Sequence, residues 1–133
     1  MKKRKAKKIK KNRSVRFPGN ILKPIGAFLS RETKRLEKRK ENLSKRDPFK
    51  DASRVVDNAA SDTDAAEQVG HAQVAAMEKQ TDRRLIQIKK ALTRIKLGKY
   101  GTCERCSKMI DTDRLMVMPE ATVCIDCERK KAK

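Results

Sequence analysis

The sequence is poor in the residues that build a large apolar core. It has no Trp, three Phe and one Tyr among 133 residues, and aromatic residues make up 3% of the chain. Charged residues make up 40%. A chain of this composition cannot bury a large globular core, although it can form elongated helices that are stapled by a metal site.

The sequence also lacks the residue sets of common catalytic sites. The sequence shows no Ser/His/Asp set and no glycine loop of the phosphate-cradling type, and His71 is its single histidine. We therefore expect that the protein is not an enzyme.

No run of the sequence is long and apolar enough to cross a membrane. The longest apolar stretch, residues 21–29, is broken by Lys23 and Pro24, and a spanning helix needs about 20 apolar residues. It is also too charged to be a convincing signal segment. We expect a cytoplasmic protein, in which thiols stay reduced.

Negative charge is scarce in the first part of the chain. Residues 1–50 carry 20 Lys or Arg against 4 Asp or Glu, which accounts for most of the net charge of +19. Residues 1–22 are predicted to form a disordered basic arm, because a block of like charges has little to bury.

A surplus of this size indicates a polyanionic partner. We expect the arm to bind nucleic acid through phosphates without reading bases; a simple solubility tail is the alternative. The cations assigned to this binding are Lys2, Lys3, Arg4, Lys5, Lys7, Lys8, Lys10, Lys11, Arg13 and Arg16.

All four cysteines lie near the C-terminus, in two C-x-x-C pairs that are separated by seventeen residues. This spacing is typical of a structural zinc site, in which four thiolates close a tetrahedral shell. A disulfide pair and a redox C-x-x-C motif are the alternatives. The predicted ligands of one structural Zn²⁺ are Cys103, Cys106, Cys124 and Cys127. His71 is expected to flank the helical seam rather than to bind metal.

Residues 23–98 are predicted to form an antiparallel helical hairpin. The first helix is expected from Pro24 to Arg46, with Leu29, Leu36 and Leu43 repeating every seven residues. The second is expected from Ser61 or Asp62 to Leu97, with Gly98 as a stop. The fold class is therefore mainly α: a two-helix coiled-coil arm, then a small four-cysteine zinc finger over residues 99–133 with a basic tail.

An acidic segment interrupts this basic chain between the two helices. Residues 51–67 carry five carboxylates against Arg54 alone, and we place the acidic tip of the hairpin near residues 57–67. The alternative is an ordinary solvated loop, in which Ser61 and Asp64 form a capping box for the second helix.

Within the finger, three smaller features carry expectations. Residues 114–123 are expected to form a small β-hairpin at most, and residues 129–133 a frayed tail. Tyr100 is expected to pack beneath the finger. The three methionines of this region are expected to fill its small core, although Met is also common at adaptable binding surfaces. They are Met109, Met116 and Met118.

Residues 85–127 resemble the DksA/TraR-type C4 zinc-finger proteins. The matching residues are Leu92-Thr93-Arg94-Ile95-Lys96, Gly98-Lys99-Tyr100-Gly101-Thr102-Cys103-Glu104-Arg105-Cys106, Ile110, Arg114-Leu115, Pro119 and Cys124-Ile125-Asp126-Cys127. The order of a helical hairpin followed by a finger is also that of the family, so the resemblance covers roughly residues 24–128.

The resemblance implies a regulator that binds RNA polymerase and inserts its hairpin into the secondary channel. The family tip, D-x-x-D-x-A, falls on Asp64 and Ala66, with Ser61 at the first position and Asp62 as its substitute. Two basic positions that help one member to bind the alarmone ppGpp are Met118 and Glu128 here.

Two functions follow. The first is a non-catalytic transcription regulator, expected to be a monomer, whose acidic tip approaches the catalytic Mg²⁺ region of RNA polymerase. The alternative is an RNA- or ribosome-associated zinc protein that uses its basic arm.

Overall fold

The computed structural model describes the backbone of residues 16–50 and 61–132, and the side chains of residues 16–50 and 64–132. Within these ranges the secondary structure is helical, apart from an isolated antiparallel bridge between Thr102 and Met109. The predicted arm lies outside the described residues except for its last residues, 16–22.

Two long helices form the hairpin. Helix α1 spans Gly19–Lys45 and α2 spans Ser61–Lys96, and a 3₁₀ turn at Pro48–Lys50 follows α1. At 1.5 Å per residue, α2 is about 54 Å long. None of the helices in the described part of the chain combines the length and the apolar character that crossing a membrane requires.

The seam between the helices is the leucine stripe that the sequence predicts. Leu29, Leu36 and Leu43 are buried on α1, and Leu29 and Leu36 pack with Leu85 and Ile88 of α2 in one cluster. The apolar contacts along this seam hold two otherwise charged helices together.

Helix α1 begins at Gly19 rather than at Pro24, where the sequence predicts its start. Two N–H groups of its first turn, those of Ile21 at 3.0 Å and Leu22 at 3.2 Å, donate to the Pro18 carbonyl. Pro24 thus lies inside the helix. Leu22 and Ile25 pack against the core of the finger. This tertiary contact stabilises the turn of α1 that precedes Pro24, where the sequence alone would begin the helix.

The finger packs on the end of the hairpin where α1 begins and α2 ends. Its core contains Tyr100, Ile110 and Leu115, and Phe17 and Ile95 pack against it. Tyr100 is buried, as predicted, and its hydroxyl donates to the Pro119 carbonyl at 2.8 Å.

Polar contacts from one side of α2 fix the finger to the hairpin. Arg84 lies 3.4 Å from Glu32 of α1 and 3.5 Å from the buried Glu120 of the finger. The Gln87 amide donates to the Thr122 hydroxyl at 3.0 Å. One arginine therefore joins α1, α2 and the finger.

Two expectations within the finger are wrong. Residues 112–117 form a short helix, α3 (Thr112–Val117), which the Asp111 carboxylate caps by accepting from the Asp113 N–H at 3.1 Å. The chain therefore turns helically where a small β-hairpin was predicted. The predicted frayed tail is mostly helical, because α4 spans Ile125–Lys131.

The prediction for the methionines is also wrong. Met116 is 83% exposed, and Met109 and Met118 are also exposed, so the core is filled by Ile110 and Leu115 instead. The methionines lie at the surface, which agrees with the alternative of an adaptable surface.

Candidate metal centre and hairpin tip

The first pair of cysteines lies on a tight turn that follows α2. The Cys103 N–H donates to the Lys108 carbonyl at 2.8 Å, and the Ser107 N–H donates to the Cys103 carbonyl at 3.1 Å. Ser107 adopts a φ of 58° to close the turn. This backbone geometry brings Cys103 and Cys106 to the same side of the loop.

The second pair lies at the start of α4. Cys124 is the N-cap residue of this helix and Cys127 lies in its first turn. Because one helical turn separates them, their side chains lie on the same face. The Arg105 guanidinium donates to the Cys127 carbonyl at 3.1 Å, which ties the first turn to α4.

The fold brings all four predicted ligands together. The four sulfur atoms lie within 4.8 Å of one another, and the Cys106 and Cys124 sulfurs are 3.6 Å apart. A tetrahedral Zn²⁺ site with Zn–S bonds of about 2.3 Å needs sulfurs about 3.8 Å apart. All four cysteines are free thiols. The donor set fits one zinc ion with no position left for water.

Hydrogen bonds prepare Cys103 to be a thiolate. Burial opposes its ionisation, but N–H groups of Cys106, Cys124 and Arg105 outweigh burial and lower the pKa of the Cys103 thiol to about 6. The N–H groups of Arg105 and Cys124 both lie 3.4 Å from its sulfur. Cys127 donates hydrogen bonds to the neighbouring sulfurs, Cys124 first, and these bonds together with burial favour its protonated form and raise the pKa of the Cys127 thiol to about 12. Four adjacent thiols cannot all ionise without a cation, so metal binding releases protons here.

The surroundings of the site are cationic. Three cations, Lys108, Arg129 and Lys130, and one carboxylate, Asp126, line the same groove as the cysteines, which has a volume of ≈ 540 Å³. Four thiolates and one Zn²⁺ carry a net charge of −2, which these side chains offset. The closed shell and its cationic surroundings are those of a scaffold rather than a catalytic metal.

His71 lies far along the hairpin from this site and contacts Asp47 instead. Its Nδ1 is 2.8 Å from Oδ1 of the buried Asp47, and its ring packs on Phe49 with centroids 4.6 Å apart. The hydrogen bond with His71 lowers the pKa of the Asp47 carboxyl; burial opposes this shift and the Phe49 N–H supports it. The interaction closes the end of α1 onto α2.

The tip is described in part. Asp64 and Ala66 lie in the first turns of α2 and are exposed. The side chains of Ser61 and Asp62 lie outside the described residues, as does the predicted capping box. Asp64 is thus at the opposite end of α2 from the finger, about 48 Å along the helix from Lys96.

Sequence reasoning missed an apolar groove beside the finger. Ile21, Pro24 and Phe28 of α1 face Met116 and Val117 of α3 across a groove of ≈ 480 Å³. The sequence does contain a pattern that indicates this groove: the three α1 residues are spaced by three and four positions, which places them on one face of the helix, and that face does not carry the leucine stripe.

Glu128 is one of the two positions at which, by the resemblance, one member of the family carries a basic residue that contacts the alarmone. Its carboxylate binds the Arg114 guanidinium, so this position joins α4 to α3. Met118, the other such position, is partly exposed.

The geometry of the finger agrees with comparison to known proteins. Residues 98–132 match the family described as the prokaryotic dksA/traR C4-type zinc finger. This segment is therefore similar to the C4 zinc fingers of that family. Its cofactor is Zn²⁺, as the sequence predicts.

The whole fold is also similar to a solved structure. The transcription factor DksA2 from Pseudomonas aeruginosa superimposes with a TM-score of 0.69 and 24% sequence identity, over 86% of this chain and 84% of that chain. The predicted fold class, a helical hairpin followed by a four-cysteine finger, is confirmed. No curated protein matches the chain significantly.

Proposed function

We propose that the protein is a non-catalytic, cytoplasmic transcription regulator that binds RNA polymerase. The observation that carries this proposal is the combination of a DksA/TraR-type finger with a hairpin whose fold is like that of a transcription factor. The finger holds the base of a rigid two-helix rod, and the rod presents its far end to a partner.

The finer proposal is that the hairpin enters the secondary channel of the polymerase. A rod about 50 Å long and two helices wide suits a narrow, deep opening. Asp64 and Ala66 are exposed at its distal end, and Asp62 belongs to the same turn of α2. Carboxylates that reach the catalytic Mg²⁺ region could perturb its coordination.

Exposure of Asp64 argues for a role in function rather than in folding. An exposed carboxylate in the first turn of a helix contributes only about 0.3–1 kcal/mol to stability. Asp64→Asn should therefore leave helicity and polymerase binding nearly unchanged while it weakens the effect of the protein on transcription initiation.

Transcription in vitro with purified polymerase tests this role. The matched control is Glu104→Gln, which removes one exposed carboxylate on the finger. Equal effects of wild type, Asp64→Asn and Glu104→Gln on initiation would remove the tip from the mechanism. Loss of helical structure in Asp64→Asn would instead assign the residue to capping.

Affinity purification of the full chain, with and without nuclease, tests the partner. Polymerase subunits that remain after nuclease treatment are the expected result. Ribosomal particles in their place would support the alternative, an RNA- or ribosome-associated protein that uses its basic arm.

A further inference from the structure

The charges of the hairpin are sorted between its two edges. Two ion pairs join the helices on one edge, where Lys40 lies 2.7 Å from Asp82 and Lys89 lies 3.7 Å from Glu37. At about 100° per residue, Glu37 is about 160° around α1 from Arg35. Apart from Glu32, which lies beside Arg35 and pairs with Arg84, the acidic side chains of α1 lie on this first edge and leave the second edge to the cations.

The second edge carries a stripe of cations, which we call the basic face: Arg31, Arg35, Lys38, Arg39 and Arg46. The four arginines are spaced by four, four and seven residues, so they remain on one side of α1 over about 22 Å. Arg35, Lys38, Arg39 and Arg46 line one groove of ≈ 470 Å³, with Met77 of α2 on its other wall.

Most of these cations are unpaired. Within the described ranges 16–50 and 64–132, four of them lie outside every ion pair: Arg31, Lys38, Arg39 and Arg46. Arg35 is 3.5 Å from Glu32, but Glu32 is nearly buried and also binds Arg84. The basic face thus offers positive charge that the protein does not neutralise.

We infer that the basic face binds the phosphate backbone of double-stranded DNA. Guanidinium groups match phosphate oxygens in bidentate geometry, and four of the five side chains are arginines. The spacing of one cation per helical turn places several phosphates within reach along a straight edge. A length of about 22 Å corresponds to about six base pairs at 3.4 Å each.

The chemistry of the face argues against other nucleic acids. Single strands are held by stacking on aromatic side chains, and residues 31–46 contain none. Recognition of an RNA duplex relies on contacts with 2′-hydroxyls across a wide minor groove, whereas Asn42 is the one uncharged polar side chain in the groove. Phosphate contacts of this kind are independent of base sequence.

This inference does not depend on the proposed function. A hairpin inside a polymerase channel cannot lie along DNA at the same time, so the two modes of binding exclude each other. A test with DNA alone therefore succeeds or fails independently of polymerase.

The test compares two triple variants of the full, zinc-loaded chain. Lys38→Gln/Arg39→Gln/Arg46→Gln neutralises the basic face. Its matched control neutralises three exposed cations of α2, away from the basic face: Lys79→Gln/Arg83→Gln/Lys90→Gln. Both variants lose the same charge and retain the basic arm.

Fluorescence anisotropy measures the affinity for a labelled DNA duplex of about 20 base pairs at salt concentrations between about 50 and 200 mM. In a plot of the logarithm of the binding constant against the logarithm of the salt concentration, the variant of the basic face should have a slope smaller in magnitude by up to about 2.7 than the wild type, because each phosphate contact contributes about 0.9. The control should keep the wild-type slope. The charge-preserving variant Lys38→Arg/Arg39→Lys/Arg46→Lys should keep it too, and circular dichroism should show equal helicity throughout.

Four results would overturn the inference. An unchanged slope in the face variant would remove the face from binding, and equal losses in face variant and control would show a general charge effect. A larger loss on an RNA duplex or a single strand of the same sequence would exclude DNA as the ligand. A loss of the same size on polyglutamate would indicate an acidic protein surface instead.

Discussion

Gly101 is the position at which one added methyl group should cost the finger most. Its φ is +80°, and a Cβ built there would lie 2.3 Å from Cε2 of Phe17. Phe17 packs edge-to-face on Tyr100 with ring centroids 5.8 Å apart. Gly101→Ala therefore strains the backbone and also pushes the Phe17 ring off its partner.

The two contributions can be estimated separately. A left-handed conformation costs a non-glycine residue about 1–2 kcal/mol, and loss of an aromatic pair costs about 0.5–1.5 kcal/mol. Gly101→Ala should thus lower the free energy of unfolding by about 1.5–3.5 kcal/mol. In a Phe17→Ala background the clash is absent, so the same substitution should cost only the backbone part, about 1–2 kcal/mol.

Tyrosine fluorescence reports on this contact directly, because Tyr100 is the only tyrosine and the chain has no tryptophan. Urea unfolding of the four proteins of this cycle, with zinc in excess, gives the coupling free energy. The control is Gly26→Ala in α1, where nothing lies within 4 Å of an added Cβ; it should stabilise the helix by about 0.5–1 kcal/mol. Equal costs of Gly101→Ala in both backgrounds would refute the role of Phe17.

Three further predictions concern the zinc site, the seam and the end of the hairpin. Chelation of zinc, or Cys103→Ser, should unfold the finger, because metal binding supplies its folding free energy; unchanged Tyr100 fluorescence in excess chelator would contradict this. Leu36→Ala should cost about 2–5 kcal/mol in urea unfolding, since Leu36 is buried in the seam. Stability should fall at low pH as Asp47 is protonated, because the pKa of Asp47 is lower in the folded than in the unfolded protein. The ionised carboxyl contributes its full stabilisation above the pKa of the unfolded state, and this contribution is lost as pH falls through the pKa of the folded state. Asp47→Asn should flatten this part of a plot of Tm against pH, and an unchanged plot would exclude the contact with His71 as its cause.

The sequence predicts those features that repeat or that follow fixed spacing. The heptad of Leu29, Leu36 and Leu43 predicts the seam, and the two C-x-x-C pairs predict the zinc finger, because periodicity and ligand spacing are local properties. The early start of α1 was not predictable in this way. Pro24 favours a later start, and only the packing of Leu22 and Ile25 on the finger overrides it.

The junction between finger and hairpin explains why a zinc site suits a protein with so small a core. Arg84, Gln87 and Arg94 lie along one side of α2 and each contacts the finger: Glu120, Thr122 and the carbonyl of Thr102 respectively. The partners of these contacts, of which Glu120 and Thr122 are buried, need a folded finger to hold their positions, and the finger needs its metal to fold. The free energy of zinc binding thus orients the base of the hairpin as well as closing the finger. Because three side chains of α2 contact the finger in addition to the leucine seam, the direction of the hairpin and of its distal Asp64 is fixed at both the seam and the base. The proposed insertion into a deep and narrow channel would require such a fixed direction.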